Sequence, residues 1–173
     1  MKKLLYITFI GSSLFLACKT SSGNKNEIKV ALTAKSDSQV SGTAIFTEEK
    51  GKVTLVANMH GLTPGEHAIH IHEKADCTAA DGSSAGGHWN PTFKQHGKWG
   101  TNEHHKGDIG NFIADAKGNA TVKFTTEEWC ISCGDETKDI TNKGLIIHKG
   151  ADDFTTQPTG NAGGRIACAG IIK

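Results

Sequence analysis

The chain has one tyrosine in 173 residues, a formal net charge of only +1, no internal repeat and no low-complexity tract. No stretch of ten or more residues carries a helical stripe, which leaves no amphipathic helix to build a core around. The near-neutral charge excludes a global basic field for nucleic acid, and equally a strong electrostatic pull toward a membrane surface. Long apolar runs are missing too. The longest, Leu4–Leu16, is too short to cross a bilayer as a stable anchor.

What is present is a period of two. Ile28, Val30 and Leu32 alternate with polar residues, as do Val53, Leu55 and Ala57, and Val122 with Phe124. With 21 glycines supplying turns, this is the pattern of an all-β domain of short strands. Asp115-Ala116-Lys117-Gly118-Asn119 between two such segments reads as a hairpin turn, where Gly or Asn accepts the positive φ. Residues 73–108 and 149–164 do not read as strands. They are rich in Gly, Asp, Ser, Thr and His, and long loops of this kind in a compact domain usually carry function.

The N-terminus reads as an export signal. Lys2 and Lys3 precede the apolar run, and Ala17-Cys18 follows it, so residues 1–17 resemble a secretory signal peptide and the small residue before a lone cysteine resembles a bacterial lipoprotein cleavage site. The mature chain would begin at a lipidated Cys18, with residues 18–27 as a flexible tether. The plainer alternative is an ordinary signal peptide cut nearby, with Cys18 lost or left free. Removing Lys2 and Lys3 takes the formal charge to −1 and leaves a chain of single-domain length. Cys77, Cys130, Cys133 and Cys168 remain. An even number in an exported chain implies two disulfides, for which three pairings are open.

His70-Ile71-His72 is the most telling triplet. In a strand, side chains two apart share a face about 7 Å apart, so two imidazoles can grip one cation between them. His88, His96, His105, Asp108 and His148 add further nitrogen and carboxylate donors, the set that suits copper and zinc rather than calcium or magnesium.

In order along the chain, Gly65-Glu66-His67-Ala68-Ile69-His70-Ile71-His72-Glu73, Gly86-Gly87-His88-Trp89-Asn90-Pro91, His96-Gly97, His105-Lys106-Gly107-Asp108-Ile109-Gly110, Ile146-Ile147-His148 and Gly160-Asn161-Ala162-Gly163-Gly164-Arg165-Ile166-Ala167-Cys168 resemble the copper/zinc superoxide dismutases. The resemblance runs from about residue 28 to the end. It implies a Greek-key β-barrel or sandwich of about eight antiparallel strands with two long functional loops, over 28–173. It also implies copper held by His70, His72, His88 and His148, and zinc held by His88, His96, His105 and Asp108. His88 would bridge the two, which an imidazole can do through its two ring nitrogens. Asp152 would link His70 to His96 from the second layer. Arg165 would dock the superoxide anion beside copper, and Thr159 would narrow the channel. Cys77 and Cys168 would form the disulfide. The implied reaction is disproportionation of superoxide by Cu(II)/Cu(I) cycling, with His88 leaving copper on reduction to carry a proton and zinc inert.

Other residues fall outside the pattern. His60 and His67 match no ligand position, and the His-x-Gly-Asp spacing selects His105 over His104. Glu73 and Asp76 read as solvated or hydrogen-bonded rather than metal-binding. Trp129-Cys130-Ile131-Ser132-Cys133 is foreign to the family. It is read as a local disulfide bracing an insertion before the His148 strand, with a metal-delivery or thiol role as the alternative. Pro158 stands where a steering lysine is expected, and Lys149 or Lys106 could substitute. Monomer and homodimer both stay open, no nucleic-acid partner is expected, and membrane contact would come only through the lipid at Cys18 in the bacterial cell envelope, facing the periplasm. Two rival functions remain: a periplasmic copper/zinc buffer without turnover, and a thiol–disulfide protein built on Cys130 and Cys133. Arg165 speaks against the buffer, which needs no cation over an open copper site.

Overall fold

The computed structural model describes residues 26–173. The expected signal peptide, the lipidated Cys18 and most of the tether lie outside the described residues. The strand alternation of the sequence becomes eight strands: β1 Asn26–Ala34, β2 Ser41–Glu49, β3 Lys52–His60, β4 Gly65–His72, β5 Gly110–Ala114, β6 Ala120–Thr126, β7 Gly144–His148 and β8 Arg165–Gly170. The only helical element among the described residues is one 3₁₀ turn, Ser83–Ala85. All pairings are antiparallel, in the order β5-β4-β7-β8-β1-β2-β3-β6. The two end strands of that order, β5 and β6, follow each other in sequence, so the sheet curls into a nearly closed Greek-key barrel.

Two details depart from the sequence reading. β1 opens at Asn26, so the last two residues assigned to the tether, Asn26 and Glu27, pair with Glu48 and Thr47. Their polar side chains gave no strand signal, but backbone pairing continues wherever the opposite strand extends. The Asp115–Asn119 turn forms, closed by the Asp115 N–H to the Asn119 carbonyl at 2.9 Å with Gly118 at φ 75°. It is nevertheless not the turn of a paired hairpin. β5 pairs with β4 and β6 with β3, so the turn crosses between the two halves of the barrel.

The barrel interior takes one face of each strand: Ile28 and Leu32, Ala44 and Phe46, Val53 and Leu55, Ile69 and Ile71, Leu145 and Ile147. Each of the Ile, Leu, Val and Phe side chains stabilises by about 1.5–3 kcal/mol on full burial. β4, β7 and β8 differ from the other strands because their outer faces are buried as well. Alternation puts His70 and His72 opposite in facing to Ile69 and Ile71, on the outside of the barrel. The loops 73–109 and 149–164 fold over that outer face.

Candidate metal centre

β4 supplies His70 and His72, and β7 ends at His148, where a register irregularity between Ile147 and His148 closes its pairing with β8. His88 arrives by main-chain hydrogen bonding rather than by strand membership. β5 pairs with β4 only as far as Ile69, which leaves the edge of β4 free from His70 onward. The loop takes that edge: Ile71 N–H donates to Gly107 O (2.9 Å), Trp89 N–H to Ile71 O (2.9 Å) and Glu73 N–H to Gly87 O (3.0 Å). His88 thereby forms a bridge with His72. Gly107 lies so close that a Cβ there would overlap the Ile71 carbonyl.

Two clusters result, His70/His72/His88/His148 and His88/His96/His105/Asp108, all buried, each with one donor atom per residue within 4.8 Å of the others. His88 is common to both. Its ring lies 4.0 Å from that of His70 on one side and 5.3 Å from that of His96 on the other, centroid to centroid. Nδ1 of His88 faces Asp108 Oδ1 at 2.8 Å, while Nε2 has no hydrogen-bond partner.

The other ring nitrogens are fixed by what they touch. A carboxylate or carbonyl oxygen only accepts, so the nitrogen facing it carries the proton and the other presents a lone pair. His70 Nε2 and His96 Nε2 each donate to Asp152 at 2.9 Å, which leaves His70 Nδ1 as a lone pair. His96 is opposed by burial but raised to about 9 by Asp108 and Asp152, and gives up its Nδ1 proton to ligate. His72 Nδ1 donates to Gly86 O (3.0 Å) and His148 Nδ1 to Gly163 O (3.2 Å), so their Nε2 atoms, 3.3 Å apart, face each other as acceptors. His70 Nδ1, His88 Nε2, His96 Nδ1 and His105 Nδ1 are buried without a hydrogen bond, although each such group ordinarily costs about 1–3 kcal/mol. His96 Nδ1 lies 3.0 Å from Asp108 Oδ2 and His105 Nδ1 3.3 Å from Oδ1, close but not aligned as hydrogen bonds. Atoms that converge on a common point instead of on each other fit a bound cation. Three imidazoles and a carboxylate suit zinc, and four imidazoles suit copper.

The electrostatics of His72, His88 and His148 agree. Burial, and then the neighbouring imidazoles His88 and His148, hold His72 well below the usual histidine value. Burial lowers His88 to about 4, against the pull of Asp108, and His148 to about 3. These rings are neutral at pH 7, the state that ligates. Burial alone would raise the Asp108 and Asp152 carboxyls, yet the histidines bonded to them hold both well below the usual range, so both are anions. Asp108 also accepts the N–H groups of His105 (2.8 Å) and Gly97 (3.2 Å).

Arg165, half-buried at the start of β8, donates through Nη1 to Gly82 O (2.7 Å) and through Nη2 to Gly86 O (2.6 Å). The Gly86 carbonyl is the one that holds His72, so the guanidinium is fixed beside the four-histidine cluster. Thr159 lines an open cleft of about 530 Å³ with His88, His105, Glu73 and Lys94. Cys77 and Cys168 are joined, Cα to Cα 5.8 Å, and so are Cys130 and Cys133.

Residues outside the pattern have other partners. His60 bonds Ser41 at the surface, and His104 Nδ1 donates to Thr101 O (2.8 Å), with its ring against Trp99. Glu73 accepts the Gly87 N–H and Asp76 takes Thr78. Lys106 pairs with Glu128, and Lys149 is exposed next to His148.

Four supporting residues escaped the sequence reading. Asn111 clasps the Asp152 main chain in both directions at 2.8 Å, and Gln157 does the same for His96 at 2.9 Å. Buried His67 donates from Nδ1 to the His148 carbonyl at 2.9 Å. Gly160, at φ 67°, leaves room for Asp152; a Cβ there would overlap Asp152 Oδ1 and lie 2.6 Å from His96 Nε2. Only the glycine-rich composition of 149–164 hinted at any of these.

A Greek-key barrel with a four-histidine cluster and a three-histidine, one-aspartate cluster sharing an imidazole on its outer face defines a copper/zinc two-metal protein. The family model for copper/zinc superoxide dismutase (SODC) matches residues 40–171. "Superoxide dismutase [Cu-Zn] 2" of Aquifex aeolicus is 36% identical over 176 residues, covering all of both chains. "Extracellular superoxide dismutase [Cu-Zn]" of Brugia pahangi is 33% identical over 157 residues, 86% of this chain and 76% of that one. Among solved structures, the crystal structure of the clock protein EA4 superposes with a TM-score of 0.73 at 32% identity, over 84% of this chain and 94% of that one. The chain belongs to the copper/zinc superoxide dismutase family, and its cofactors are copper and zinc.

Proposed function

We propose that this protein converts superoxide to dioxygen and hydrogen peroxide at the paired cluster, with copper held by His70, His72, His88 and His148 and zinc by His88, His96, His105 and Asp108. The observation that carries the reading is His88, which belongs to both buried clusters, with Nδ1 against Asp108 and Nε2 buried without a hydrogen bond. When bound, copper supplies the one-electron reduction and oxidation, while zinc is redox-inert and lends charge and order. Arg165 binds the superoxide anion: two of its five N–H donors are fixed on carbonyls, and the rest present a preoriented positive edge. His88 Nε2 is the atom that takes up and delivers a proton, since burial makes the imidazolium unfavourable and the proton easily given back. Asp152 fixes the facing of His70 and His96 together, so the two clusters share one orienting carboxylate.

A buffer reading has no use for a guanidinium tethered beside the cluster. The test is His148→Ala, with metal content and superoxide removal measured together. Loss of copper and of activity with zinc retained is expected; full activity would overturn the copper assignment.

Export is part of the same proposal. Two disulfides and an extracellular relative support a chain that works in an oxidising compartment, and the Ala17-Cys18 site supports lipidation there. Mass analysis of the mature N-terminus tests this: a diacyl-glyceryl Cys18 is expected, and an unmodified residue there contradicts it.

A further inference from the structure

The segment between β6 and β7 carries a disulfide that the metal chemistry does not use. Trp129, Ile131 and Ile140 are almost fully buried and pin the segment to the barrel, and Ile131 N–H also reaches Glu48 Oε2 (3.2 Å) on β2. The Trp129 indole N–H donates to Lys106 O (2.8 Å). Between these pins, Asp139 organises much of the loop: its carboxylate accepts the N–H groups of Ser132, Gly134 and Thr141 at 2.9–3.0 Å. Main-chain bonds from Cys130 N–H to Lys138 O (2.8 Å) and from Ile140 N–H to Cys130 O (3.1 Å) close it again. The loop therefore keeps its shape without a covalent link. As a brace the Cys130–Cys133 bond adds little, because cysteines three apart close a far smaller loop than the 91-residue separation of Cys77 and Cys168 and remove far less chain entropy.

The two sulfurs sit in different surroundings. Cys130 is buried beside Trp129, whereas Cys133 is exposed. Ser132 and Gly134, on either side of Cys133, line an open cleft of about 870 Å³ with Trp89, Pro91 and Phe93 on its other wall, and Phe93 is 92% exposed. Cys168, in contrast, is fully buried and Cys77 half-buried.

We propose that Cys130–Cys133 is a thiol–disulfide exchange site that accepts electrons from a thiol reductant while Cys77–Cys168 stays closed. Access decides which sulfur is struck. The reductant's thiolate attacks Cys133 Sγ and forms a mixed disulfide there. The Cys133–Cys130 bond breaks, its electron pair goes to Cys130 Sγ, and that sulfur takes up a proton. A second thiol attacks the reductant's sulfur and releases Cys133 as a thiol; the reductant leaves as a disulfide, two electrons and two protons having passed to the protein.

The experiment is differential alkylation of the full, metal-loaded protein in graded mixtures of reduced and oxidised glutathione, with labelled cysteines mapped by mass. Cys133 is expected to label at least tenfold faster than Cys77 and Cys168. In single variants, Cys133 in Cys130→Ser should form the glutathione adduct readily, and Cys130 in Cys133→Ser should not, with superoxide removal unchanged in both. Equal labelling of the two disulfides, or a pair that opens only when the protein unfolds, would overturn the proposal.

Discussion

At the scale of single residues, the centre depends on carboxylates that order imidazoles. Asp152 fixes one histidine of each cluster. Replacing an orienting partner of this kind typically lowers metal affinity 10–100-fold. Asp152→Asn should therefore weaken copper and zinc together by about that factor, read by chelator competition; an effect on one metal only would contradict its dual role. Gly160→Ala should resemble it, because the added methyl displaces the same carboxylate and meets an unfavourable φ. The seven clustered residues were legible because metal chemistry restricts each position to a few donor types, in strands and short motifs whose spacing survives in sequence. Asn111, Gln157 and His67 were not, since they act on main-chain atoms 41, 61 and 81 residues away and carry no spacing signal.

At the scale of elements, alternation in β4 divides the strand between two tasks, with Ile69 and Ile71 in the barrel and His70 and His72 outside it. The sequence pattern shows that division directly. It does not show how the loop reaches His72, because the edge of β4 is completed by carbonyls and amides that any residue could supply. The Cys77–Cys168 bond ties this loop to β8, three residues from Arg165. Opening its 91-residue closure should cost about 4–5 kcal/mol in the chain-entropy model. Cys168→Ser should lower the midpoint of urea unfolding accordingly; an unchanged midpoint would show that loop packing alone holds the strap. The crossing of the Asp115–Asn119 turn is hidden in the sequence for a related reason. Local turn chemistry fixes the turn but not which strands its arms join.

At the scale of the whole molecule, the metal-free barrel stores opposing titrations. His88 and His148, at about 4 and 3 when folded, bind protons less readily than in the unfolded chain at about 6.5. Stability from these groups is present above pH 6.5 and is lost as pH falls toward 3. For His96, burial opposes charge, but Asp108 and Asp152 outweigh it and raise the group to about 9, so its contribution is full below pH 6.5 and lost as pH rises through 9. Metal-free protein should be most resistant to urea near pH 6.5 and weaker at both pH 4.5 and pH 9. A monotonic profile would contradict the coupling of the clusters to the fold.

The central claim is that one imidazole stands between two different metals. Anomalous diffraction at the copper and zinc edges, on crystals of the metal-loaded protein, tests it directly. Two peaks are predicted, copper among His70, His72, His88 and His148 and zinc among His88, His96, His105 and Asp108, each about 2.0–2.1 Å from a different nitrogen of His88. A single peak, or a His88 bonded to only one metal in the Cu(II) state, would contradict it.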